Sequence, residues 1–272
     1  MLLNSSLYLI EDRQFMKLPR WPAGIIFLAI TAIAQPAVSQ TPSLETAEDI
    51  IDYVDRLLRG NSSQGTIVMD IVTENWSRSL EMEVWSLGKE YSLVRVNAPK
   101  SEAGTATLKV DKQVWNYLPR ADRTIKIPPS LMMGSWMGSH FTNDDLVKES
   151  QLIEDYDIEI TFDGELDGEL VWEFTLTPKP EAPVVWGRIE EQVRRRDVMP
   201  TWAKYYDEDG NLSRTMVFSE FKSMGGRLVP SIMTITPEDK PTESTTIIYS
   251  DIVFDVGLDE DFFSLRNLKQ QR

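Results

Sequence analysis

The chain has 272 residues, no cysteine and one histidine, and sets 43 Asp and Glu against 28 Lys and Arg, for a net charge of −15. Its length suits one large domain or two small ones. The missing cysteine removes disulfides, thiolate metal sites and thiol nucleophiles, and the acidity argues against nucleic acid and anionic lipid surfaces, which are bound chiefly by Lys and Arg.

Residues 1–39 read as a cleavable export signal. Lys17 and Arg20 form a basic start, Gly24 to Ala34 an apolar run, and Ala37-Val38-Ser39 a small-residue cleavage site before Gln40. The run is shorter than the roughly 20 residues of a membrane-spanning helix. Met16 offers an alternative start, which would leave residues 1–15 outside the protein. The expectation is a periplasmic protein made of one domain, residues 40–272.

Ser43 to Arg59 has a helical pattern, with Ala47, Ile50, Ile51, Val54, Leu57 and Leu58 along one stripe. Ser43 is the expected N-cap and Gly60 the stop. From Gln64 the period changes to two. Thr66–Glu74, Ser77–Ser86, Glu90–Asn97, Thr105–Val110, Gln113–Leu118 and Arg123–Ile127 read as antiparallel strands with short turns.

Leu131 to Val147 (LMMGSWMGSHFTNDDLV) breaks both patterns. It concentrates Met132, Met133, Trp136, Met137 and Phe141 around Gly134 and Gly138, and suits either an adaptable lid or a static plug. A short helix is expected over Asn143–Glu149. Strands resume at Asp157–Phe162 and Leu170–Thr177. A meander follows: Val185–Arg195, Thr201–Tyr206, Ser213–Phe221, Arg227–Thr236 and Glu243–Val253. Asp259 to Leu265 reads as a closing helical turn that tucks Phe262 and Phe263 under the sheet. The predicted fold is mainly β: a curved antiparallel sheet or unclosed β-barrel, with an N-terminal helix and a short helical lid over the concave face.

Candidate chemistry is sparse. His140 sits among Ser135, Ser139, Asp144 and Asp145, but adjacency of Ser139 and His140 does not supply nucleophile–base geometry. No Gly-x-Ser-x-Gly elbow is present. One histidine and no cysteine are a poor basis for a transition-metal site. Asp207 to Asn211 lacks the length of an EF-hand loop. Arg194-Arg195-Arg196 reads as a solvated strand end, or as a docking spot for an acidic partner. No catalytic residue, metal or cofactor is expected, and the chain reads as a non-enzyme.

The remaining signal is apolar: 8 Trp, 11 Met and 10 Phe. Alternation places Leu80, Met82 and Val84 on one face of their strand, and Glu81, Glu83 and Trp85 on the other. A sheet curving around one short helix exposes more concave apolar surface than that helix covers. The Met-rich segment fills the space or a ligand does.

The ordered motifs resemble the outer-membrane lipoprotein-sorting proteins of the LolA-like superfamily. They are Leu58-Arg59-Gly60; Ala98-Pro99 with Gly104-Thr105; Val114-Trp115-Asn116-Tyr117-Leu118-Pro119; Met133 to Ser139; Phe141 to Leu146; Asp209-Gly210; and Val229-Pro230. The resemblance implies an unclosed barrel whose apolar cavity takes lipoprotein acyl chains or other lipid toward the outer membrane. It also implies an inner-membrane transporter of ABC or RND type as donor and an outer-membrane acceptor, with the protein acting as a monomer. An accessory role beside an RND-type or other envelope transporter, without carrier activity, is the alternative. Trp85, Leu93, Leu108, Trp115, Tyr117, Met133, Trp136, Met137 and Phe141 are the cavity or lid candidates.

Overall fold

A computed structural model describes residues 44–148, 152–182 and 184–270. The export-signal reading of residues 1–39 and the expected cap Ser43 lie outside the described residues. Helix α1 spans Ala47–Arg56. Thr46 caps it: its hydroxyl accepts from the Asp49 N–H, and the Asp49 carboxylate accepts from the Thr46 N–H. Ile50 and Ile51 are its buried side chains. Gly60, at φ +58°, ends the turn that follows by donating its N–H to the Arg56 carbonyl.

Strands follow in two meanders. The first is β1 (Ser62–Val72), β2 (Ser77–Leu87), β3 (Tyr91–Ala98), β4 (Ala106–Val110), β5 (Gln113–Leu118) and β6 (Arg123–Lys126). A connection follows, containing α2 (Asp145–Lys148) and α3 (Leu152–Asp155). The second meander is β7 (Tyr156–Leu166), β8 (Glu169–Pro178), β9 (Arg188–Arg194), β10 (Met199–Tyr206), β11 (Leu212–Met224), β12 (Arg227–Pro237) and β13 (Ser244–Phe254). The short helix α4 (Leu265–Leu268) closes the described chain.

All thirteen strands join one antiparallel sheet in the order β6-β5-β4-β3-β2-β1-β13-β12-β11-β10-β9-β8-β7. Every ladder links sequence neighbours except one: β1 pairs with β13, from Ser63 opposite Phe254 to Val72 opposite Ser244. The sheet does not close, because β6 and β7 remain its two edges. Each expected strand is present, with ends shifted by a few residues.

A flat sheet of this width would span roughly 58 Å, at about 4.8 Å per strand. Yet Val94 and Val96 of β3, Phe174 of β8 and Ile235 of β12 belong to one buried cluster with Ile50 and Ile51 of α1. The sheet therefore curls around α1. Register shifts at Thr66/Ile67, Glu81/Met82, Tyr205/Tyr206 and Ile160/Phe162 supply the local twist that curling needs. Beside the first of these, Gly65 brings β1 against β13 so closely that a Cβ would meet the Asp251 carbonyl oxygen at 2.8 Å. Only glycine fits there.

Candidate functional site

Register determines which side chains face α1. Met69 of β1 lies opposite Leu80 of β2 and Ile247 of β13. From Val84 the same face continues through Val94 and Thr107 to Asn116. In the other direction it runs through Met233, Phe218, Met216 and Ala203 to Glu191. This concave face, α1 and the segment between β6 and β7 enclose a cavity of about 300 Å³, at the lower end of the range for small-molecule pockets, ~300–1,000 Å³. Its apolar wall includes Ile51, Val84, Trp136, Phe141, Met216 and Tyr249.

The segment between β6 and β7 is held to the sheet by directional bonds. Trp136, 3% exposed, donates its indole N–H to Thr107 Oγ1 at 3.0 Å. Its backbone N–H bonds the Phe141 carbonyl, and Ser135 and Thr142 form an isolated bridge. Arg214 of β11 grips Asp145 of α2 with two bonds of 2.8 and 2.6 Å, and both side chains are buried. A planar guanidinium on a carboxylate fixes orientation as well as distance. Arg78 bonds the Met137 carbonyl and pairs with Glu102. Leu131 and Met133, by contrast, are exposed.

His140 belongs to this anchoring. Its Nδ1 lies 2.8 Å from Thr245 Oγ1 and its Nε2 3.2 Å from Glu243. A backbone N–H from Glu74 and the His140 ring hold the Glu243 carboxyl below its usual range. The Ser135 and Ser139 hydroxyls donate to the carbonyls of Ser139 and Trp136, away from the imidazole. The residues of the weighed Ser-His-Asp reading thus have other partners. The arginine run is also paired: Arg194 holds Asp197 bidentately, Arg195 reaches Asp163, and Arg196 reaches Glu169.

The nine sequence candidates divide between the two faces. Trp136, Met137 and Phe141 pack in the concave cluster, with Met137 only partly buried. Met133 is 48% exposed. Trp85, Leu93, Leu108 and Trp115 form one cross-strand row on the opposite, convex face, and Tyr117 joins them there. The end of the chain covers this face: Phe262 tilts on Trp85 with centroids 5.8 Å apart, and Phe263 on Tyr91 at 5.5 Å. Trp85 also borders the cavity rim.

Sequence reasoning passed over Glu191, Asp55 and Arg214. Glu191 occurs in phase with Ile189 and Val193, in an otherwise apolar stripe of β9. That charged residue on a core-facing register was the available signal. Burial, helped by the Asp55 carboxylate, pushes the Glu191 carboxyl up to about 7. Asp55 also sits above its usual range because of burial, although Arg59 opposes the shift.

A family model described as "Uncharacterized protein" matches residues 88–270, well over half the chain. Similar solved structures include a candidate outer membrane lipoprotein-sorting protein domain from Vibrio parahaemolyticus, 24% identical, with TM-score 0.70, covering 81% of this chain and 97% of that one. A DUF1329 family protein from Desulfovibrio piger is 23% identical, with TM-score 0.72 and coverage of 82% and 97%. A LolA superfamily protein from Nitrosomonas europaea is 20% identical, with TM-score 0.69 and coverage of 82% and 99%. No curated protein matched the chain significantly.

Proposed function

We propose, from the premise that this chain belongs to the family matched over residues 88–270 and has the LolA-like fold, that it is a periplasmic carrier. In this reading it holds lipoprotein acyl chains or another lipid in the concave cavity and moves them toward the outer membrane. The donor is an inner-membrane transporter of ABC or RND type, and an outer-membrane component accepts the cargo. The observation that carries the reading is the largely apolar cavity between α1, the Trp136–Phe141 segment and the curved sheet. Each methylene moved there from water contributes about 0.8 kcal/mol, so a short acyl stretch suffices for useful affinity.

Export rests on the leader-like residues 1–39. The cavity and lid set consists of Trp136, Met137 and Phe141, with Trp85 at the rim. Leu93, Leu108, Trp115 and Tyr117 support the wall from behind.

Native mass spectrometry of protein purified from a periplasmic extract without detergent tests the proposal. A discrete added mass matching lipid or an acylated peptide is expected. Delipidated protein should then take up dodecanol at micromolar concentration. Val84→Trp, which fills the cavity from β2, should weaken that uptake tenfold or more. Equal uptake by the two proteins would mean that the alkyl chain binds elsewhere.

One observation favours a second reading, an accessory subunit of an envelope transporter without carrier activity. The Arg214–Asp145 pair and the Trp136–Thr107 bond tether the connecting segment to the sheet, which supports reading it as a plug. A bare mass, unchanged after incubation with membranes, together with co-purification of a transporter, would select that reading.

A further inference from the structure

Glu191 is the feature that an acyl-chain cavity leaves unexplained. It is 8% exposed and stands opposite Phe174 of β8 and Ala203 of β10, both fully buried. It borders the cavity, no described residue hydrogen-bonds or ion-pairs with it, and its carboxyl oxygens keep some accessible surface. The other charged groups around the cavity are engaged. Asp55 is paired with Arg59 and Asp145 with Arg214. Lys89 pairs with Asp52, and Lys109 donates to the Lys89 carbonyl at 2.5 Å. A buried carboxyl without a partner is costly, and folded proteins retain few such groups.

We propose that Glu191 is the polar anchor of the cavity and receives the protonated amine of an amphiphile whose apolar chain occupies the rest of the space. The inference rests on the cavity-binding reading above and adds the headgroup class to it. An ammonium donates up to three hydrogen bonds and carries the compensating charge. Asp55 lies close enough to raise the Glu191 carboxyl, but its own charge is paired with Arg59, so selection of a cation over a carboxylate or phosphate head rests on Glu191. An uncharged hydroxyl would satisfy one hydrogen bond and leave the charge uncompensated.

Occupation by an ammonium requires the ionised carboxylate, and burial pushes this carboxyl up to about 7. Amine affinity should therefore fall about tenfold from pH 8 to pH 6, where an alkylamine stays protonated and the ionised fraction of such a group falls tenfold.

The test compares dodecylamine, dodecanol and dodecanoate binding to the delipidated chain by calorimetry, for wild type and Glu191→Gln, at pH 6 and pH 8. The expected result is at least a tenfold preference of wild type for dodecylamine over dodecanol at pH 8. In Glu191→Gln that preference and its pH dependence should vanish while dodecanol binding persists. Phosphatidylethanolamine and a diacylated lipopeptide with a free α-amine, run in the same format, separate a membrane lipid from a lipoprotein as the amine's source. Equal wild-type affinities for amine and alcohol, or a preference that survives Glu191→Gln, would overturn the headgroup assignment and leave the apolar cavity standing. Failure to bind all three dodecyl probes would remove both.

Discussion

On the convex face of β2–β5, Trp85, Leu93 and Leu108 lie under Phe262, Phe263 and Leu268. On the concave face of the same strands, Val84, Val94 and Lys109 border open space. The same alternation built both faces, so the difference lies in what each received as a cover. The convex face got a short tail with two adjacent rings set edge to face, centroids 5.2 Å apart. The concave face got one helix and a segment pinned at Trp136 and Asp145. Curvature widens the space that such a cover must fill, and three turns of helix with two fully buried isoleucines do not fill it.

The comparison can be broken most forcefully from the convex side. Phe263→Ala should cost about 3–5 kcal/mol, the range for deleting a buried phenyl ring, seen as a lower urea midpoint. Dodecanol affinity of the folded fraction should stay within twofold. A collapse of affinity in protein that is still folded would mean that the two faces are not independent.

The concave side sharpens the comparison through pH. A carboxyl raised from its ordinary 4.5 to about 7 keeps its proton in the folded state after the unfolded chain has lost it. Stability should therefore fall as pH rises through that window, by up to about 3 kcal/mol. The raised Asp55 acts in the same direction. The lowered carboxyls Asp49, Asp207 and Glu243 act below their ordinary values, outside the window. Urea titrations at pH 5 and pH 8 should show the loss in wild type, and Glu191→Gln should remove most of it. An unchanged slope in that variant would show that Glu191 is not the group responsible.

The smallest effect concerns the concave cover itself. Thr46→Ala removes the capping box of α1 and should cost about 1 kcal/mol. Hydrogen exchange of α1 amides should quicken several-fold while β1 and Phe263 stay protected. Equal acceleration in all three would tie α1 to global unfolding.

The strands were legible in the sequence because β-branched and aromatic residues alternate between obvious turns, as from Ser77 to Leu87. The helix cap was misplaced for a local reason. Ser43 and Thr46 are both competent caps, and only Thr46 has Asp49 three residues on to complete the box. The site was harder. Alternation separated Trp85 from Val84, but it could not say which side the sheet would bend toward. Aromatic weight then drew Leu93, Leu108, Trp115 and Tyr117 into a cavity list although register sends their row the other way. Arg214 and Asp145 meet from a strand and a short helix far apart in the chain, so no local spacing announced their pair. Glu191 was visible as a carboxylate in an apolar phase, but its meaning depends on the lack of a partner among the described residues, which only three dimensions reveal.

The ladder between β1 and β13 has a kinetic consequence. Each meander can zip from hairpin to hairpin, but Ser63 must wait for Phe254, and contacts between such distant residues slow folding because the loop entropy precedes the reward. A chain synthesised from its N-terminus thus cannot complete its core until β13, the last of the described strands, has emerged. Until then β1 keeps an open edge along the side that β13 will cover.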